Sequence, residues 1–219
     1  MKIPERKFIW VASIAGIIVF VGDFLVTFIL GFFYPNYSHL KIVMSELGTG
    51  ESPVAIWINL WWIVFGTFFV IFGIGILKAF GEHKKASFWG MILMILFGVG
   101  GWICGGLFPM DPGGAETTLA GKLHGICGGV GYLALLIVPL VLLPIFSKEK
   151  EPRQYWVSIS VFVAGITTFI LFLASEDATA VGSLLSYPGL WQRLFLLVNY
   201  AYLGMIAVLM MRLSYRSVD

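Results

Sequence analysis

The side chains best suited to chemistry in this chain are His124, Asp111, Asp23 and Arg193, set in a sequence with few polar groups. Two of them share the stretch FPMDPGGAETTLAGKLHGICGG, residues 108–129, with Lys122, Cys127 and a series of glycines. A histidine and a carboxylate can relay a proton, so His124 with Asp111 is a candidate acid–base pair, suited to hydrolysis or transfer on a lipid. A nucleophile would have to be Ser45, Ser52 or Cys127, and none lies in a nucleophile-elbow motif. His124, His39, Asp111 and Glu116 carry metal-ligating atoms. No HxxxH or HExxH spacing joins them, so no metal is expected. His124 is the one histidine expected within a hydrophobic span, which disfavours a bis-histidine haem; no cofactor is expected. Cys104 and Cys127 form no CxxC pair; they could meet as a disulfide or remain thiols.

The elements that must hold these residues are hydrophobic. Hydrophobic residues make up 59% of the 219 and charged ones 12%, about half the charge of an ordinary soluble domain. That composition fits an integral membrane protein. The net charge of +2 and the lack of a basic, aromatic-interleaved stretch argue against nucleic acid. About 20 apolar residues cross a bilayer as a helix. Six segments qualify, at 8–33, 54–80, 87–108, 119–146, 155–174 and 189–212, so the expected fold is all-α: a single domain, a bundle of six transmembrane helices. The first run is too long for a cleaved signal and is read as a retained helix.

Eleven of the fourteen Lys and Arg fall on the side of the termini; Lys41, Lys122 and Arg193 fall on the other. The positive-inside rule then predicts a multi-pass cell-membrane protein with both termini cytoplasmic and loops 34–53, 109–118 and 175–188 outside. Leu40, Val43, Met44 and Leu47 have helical spacing, which predicts a short helix lying on the outer surface.

The polar residues of the spans collect in the outer half. A charge inside a span costs about 3 kcal/mol on insertion scales and usually faces a wet interior. Asp23 is too short to reach the headgroups. It could pair with Arg193 or His124 and tie helices together. Helices 2, 4 and 6 begin on this side, and their positive dipole ends favour anions. The expectation is an outward-facing polar pocket lined by Asp23, Asn59, Asp111, His124, Arg193 and Asn199, with Trp57 and Trp61 on one helix face. It would take a membrane lipid or amphiphile headgroup, for binding, flipping or modification, with Arg193 on the anion. The alternatives are a proton- or ion-coupled transporter using Asp23 and a non-catalytic assembly subunit. Gly101 and Gly105, with Gly121, Gly125 and Gly129, make four-residue stripes that predict tight packing of helices 3 and 4, the alternative being that they leave room for a ligand chain.

SELG (45–48), FPMD (108–111), HG (124–125) and GLWQRL (189–194) together resemble an uncharacterised bacterial and archaeal membrane family, domain of unknown function 998. The resemblance spans nearly the whole chain and implies six spans but no activity.

Overall fold

The computed structural model describes residues 3–115, 117–176 and 183–215. Lys2 and Arg216, two of the eleven basic residues on the side of the termini, and the possible metal ligand Glu116 lie outside them.

Six helices form: α1 Ile3–Gly31, α2 Ala55–Ala79, α3 Lys84–Leu107, α4 Leu119–Ile145, α5 Pro152–Ser175 and α6 Pro188–Tyr215. Each has between 24 and 29 residues, enough to cross a hydrocarbon core of about 30 Å. No strand occurs among the described residues. Local chemistry sets several ends. Thr118 caps α4 by accepting a hydrogen bond from the Gly121 N–H at 3.0 Å. Pro152 and Pro188 start α5 and α6, where a missing N–H costs nothing. The last turn of α4 tightens to a 3₁₀ turn, Leu143–Ile145.

The helices form a ring in chain order: each packs on the next, and α6 closes on α1. The centre is aromatic. Phe65 and Phe69 of α2 meet edge to face with centroids 5.2 Å apart, and Phe69 meets Phe97 of α3 at 4.7 Å. Tyr200 of α6, fully buried, packs against both Phe69 and Phe97.

Three departures from expectation shape the site. The connection 34–53 does not lie on the surface as a helix. It makes one 3₁₀ turn, Met44–Gly48, that enters the mouth of the ring, with Leu47 fully buried and Met44 nearly so. Two buried apolar residues within a single turn gain more inside the ring than across its rim.

The second departure is in α3, which is not a regular α-helix: Phe97–Ile103 is π-helical. Such stretches are rare and recur at functional sites.

The third concerns the glycines, which divide into two groups. Tight contact between α3 and α4 runs through Gly100, Gly101 and Gly131: a Cβ on Gly100 would meet the Cys127 carbonyl, and one on Gly131 the Gly101 backbone. Gly105 of the predicted stripe meets only the His124 ring at ordinary contact distance, and Gly129 meets nothing within 4 Å. A further close glycine crossing lies between α2 and α3, where Gly66 and Gly98 face each other's carbonyls.

Candidate functional site

On the face opposite the termini, the 34–53 connection is clamped to two helices, α2 and α6, and one loop. Arg193 of α6 supplies most of the clamp. Its Nη1 donates to the carbonyls of His39, Ile42 (3.1 Å) and Gly189 (3.0 Å), and its Nη2 donates to the Tyr37 hydroxyl at 2.7 Å. Gln192 adds a second bridge. Its Oε1 accepts the Met44 N–H at 2.6 Å, and its Nε2 donates to the Tyr132 hydroxyl of α4 at 3.0 Å. An amide N–H can only donate, so the orientation of the Gln192 amide follows. The Leu190 N–H reaches the Leu40 carbonyl at 2.8 Å. Asn59 of α2 donates to the Gly48 carbonyl at 3.0 Å. Glu46 accepts the Gly113 N–H at 2.7 Å, tying this connection to the loop between α3 and α4.

Beneath the clamped turn lies a cavity of about 600 Å³. Its walls come from the π-helical part of α3, the first turns of α4, and parts of α5 and α6. The apolar wall is aromatic: Trp62, Trp102, Tyr132, Phe169 and Phe172. Gly105, Gly121, Gly125, Gly128 and Gly129 leave the space open on the other side. His124, Glu46, Glu176 and Gln192 supply polar groups, and Lys41 is the lining cation.

The predicted residues are placed unequally about this cavity. His124 lines it and its Nδ1 lies 2.9 Å from the Phe108 carbonyl; since a carbonyl only accepts, that nitrogen carries the hydrogen. Asp111 is partly exposed and turned onto the start of α4. It accepts from the Thr118 hydroxyl at 2.7 Å, the Thr118 N–H at 2.8 Å and the Thr117 hydroxyl at 3.2 Å. Those donors hold its carboxyl below the usual range, the Thr118 N–H most strongly. Trp57 is exposed on the outside of the ring, 66% accessible, and so does not share a wall with Trp61. Asn199 donates to Phe195 within α6 at 2.8 Å and faces Gly165 of α5. Arg193 does not line the cavity; its donors hold the loop carbonyls above it. Cys104 and Cys127 face each other across α3 and α4 as free thiols. Among the described residues no group of three or more His, Cys, Asp or Glu could hold a metal ion.

Asp23 stands one side chain behind the wall. It is fully buried, about 12 Å below the end of α1 by helical rise. The indole N–H groups of Trp61 and Trp62 face its carboxyl, but neither oxygen has a partner in hydrogen-bond geometry. The Trp102 N–H and the Tyr200 hydroxyl face each other nearby and are likewise unpaired. Buried polar atoms are nearly always satisfied, so this concentration sets the region apart from the rest of the bundle.

Gln192, Tyr132, Trp62 and Trp102 line the cavity and were not singled out as ligand-binding residues from sequence. Gln192 had a signal: an uncharged amide in the first turns of a span, next to Arg193.

His39 gives the clamp a pH dependence. Its ring stacks on Phe28 with centroids 4.4 Å apart, and its Nδ1 faces Arg193 Nη2 at 3.5 Å. Burial first, then the Arg193 charge, lowers its pKa. The folded state therefore resists protonation. The stabilising contribution is complete above the unfolded value of about 6.5 and is lost as pH falls below it. The thermal midpoint in mild detergent should drop between about pH 7.5 and about pH 5.5, and drop less in His39→Gln. Equal drops in both proteins would remove His39 as the cause.

Set against known proteins, residues 14–209 match the model of one family, described as protein of unknown function (DUF998). No curated protein and no solved structure matches.

Proposed function

The chain belongs to the DUF998 family, and from that premise we propose that this multi-pass membrane protein uses its cavity to receive the headgroup of a membrane lipid or amphiphile, for binding, flipping or modification. The observation that supports this reading is the cavity: about 600 Å³ under a clamped loop, with aromatic and glycine walls and few polar groups. Ligand sites are concave and mostly apolar, with a few convergent polar groups that fix orientation. His124 offers a bond or a proton to whatever enters, Gln192 and Tyr132 position it, and Asp23 biases the local field from behind Trp62. On this reading Arg193 acts by holding the loop in place over the cavity.

Gly128 provides the test. It lines the cavity, and a Cβ there would meet nothing within 4 Å. Gly128→Trp should fill the space without straining the helices. Native mass spectrometry of gently extracted protein should show a lipid or small amphiphile on the wild type. Gly128→Trp should lose most of it with its melting temperature unchanged. A wild type that carries no adduct, in any mild detergent, sinks the reading.

A further inference from the structure

Resting on the reading that the cavity takes an amphiphile headgroup, we infer that this headgroup is cationic: an amine or quaternary ammonium on an apolar chain, held against the Trp62–Trp102 wall. Three observations combine.

The first is charge. Among the described residues Glu46 and Glu176 line the cavity against one lining cation, Lys41; Asp23 stands behind Trp62, within the field of Arg193. Lys41 is exposed on the loop, where water screens it. The cation best able to hold an anion, Arg193, is turned away onto the carbonyls of His39, Ile42 and Gly189 and the Tyr37 hydroxyl. The start of α4 is closed by the Thr118 cap, with Asp111 on the Thr118 N–H, so its dipole is already answered.

The second is the orientation of the tryptophans. Trp62 and Trp102 lie with ring centroids 5.9 Å apart and planes at 51°. Their N–H edges are directed at Asp23 and Tyr200, away from the cavity that both rings line. Tyr132 extends this wall, with Phe172 at 6.1 Å. Aromatic faces are electron-rich and bind ammonium groups, tryptophan best.

The third is Asp23 itself. A fully buried carboxyl with both oxygens unpartnered stands one ring away from the cavity, shared electrostatically with Arg193; when ionised it is a countercharge for a cation on the Trp62 ring. In a medium of low dielectric its field reaches through the Trp62 ring.

The test uses the full chain in nanodiscs of an anionic phospholipid. Octyltrimethylammonium, octanesulfonate and octanol are titrated below solubilising concentrations, with tryptophan fluorescence as the readout. The ammonium should bind about tenfold or more tighter than the sulfonate, a preference of about 1.4 kcal/mol. Glu46→Gln, on the half-buried turn, should shrink that preference, and Trp102→Phe should weaken the ammonium alone. In nanodiscs of a choline phospholipid, a fall in apparent ammonium affinity assigns the site to the lipid headgroup; unchanged affinity assigns it to a free amine. Equal or tighter binding of the sulfonate overturns the cationic inference and leaves the headgroup reading standing. If none of the three binds and Gly128→Trp changes nothing, both fall.

Discussion

Arg193→Ala should release the 34–53 connection from the ring and lower stability by about 4 kcal/mol. Each hydrogen bond from a charged group to a buried carbonyl contributes about 1.5–3 kcal/mol. Arg193 makes such bonds to His39, Ile42 and Gly189 and a further one to Tyr37. They share one side chain, so they do not add fully. Truncation also strands carbonyls in a region with little water. Arg193→Lys should recover less than half of the loss, because an ammonium cannot reproduce the planar fork that spans several acceptors. Two measurements check this: the denaturation midpoint in mixed micelles, and limited trypsin cleavage at the exposed Lys41. The variant should melt earlier and be cut faster at Lys41. An unchanged midpoint with unchanged cleavage would mean that the other bridges hold the connection without it.

The second large effect comes from one substitution made at two glycines. Gly66→Ala should cost about 3 kcal/mol or more, while Gly128→Ala should be neutral or stabilising by up to about 1 kcal/mol. At Gly66 the added carbon would lie 2.5 Å from the Gly98 carbonyl oxygen and 2.6 Å from Ile103. The neighbour is backbone, so α2 and α3 must separate. That separation would disturb Phe65, Phe69 and Phe97, which fill the centre of the ring. At Gly128 nothing lies within 4 Å, and the helix gains from losing a flexible residue. Unfolding of the two variants, side by side, reads the difference directly. Similar midpoints would show that the α2–α3 crossing relaxes freely.

The same pair explains what could be read in advance. A four-residue glycine stripe announces that something needs room. It does not say whether the room is taken by a neighbouring helix or kept for a ligand, because that depends on partners far away in sequence. Gly100 and Gly131 went to packing, Gly128 and Gly129 to open space. The six spans were legible because length and hydropathy are local properties. Their ends moved by a few residues where charged but helix-compatible residues extended a span, as at Lys84 and Lys85. Asp23 and Arg193 were legible as embedded charges that need a reason. The role of Arg193 was not, since its acceptors are backbone carbonyls and every residue has one. Trp62 and Trp102 carried nothing in sequence to separate them from the other six tryptophans. Trp57 and Trp61 share a helical face by spacing, yet Trp57 lies outside the ring, because helical spacing says nothing about where the neighbouring helix ends.

The π-helical run in α3 bears on how this chain tolerates length changes. Each residue turns a regular helix by about 100°, so removing one from any other span would swing half of that span onto the wrong face. In Phe97–Ile103 the wide turn already stores a surplus position. Deletion of one residue there should leave α3 continuous and able to insert, as a straight rod in normal register. The loss would be local: Gly101 and Trp102 would rotate off the wall they share, and the cavity would close without the bundle coming apart.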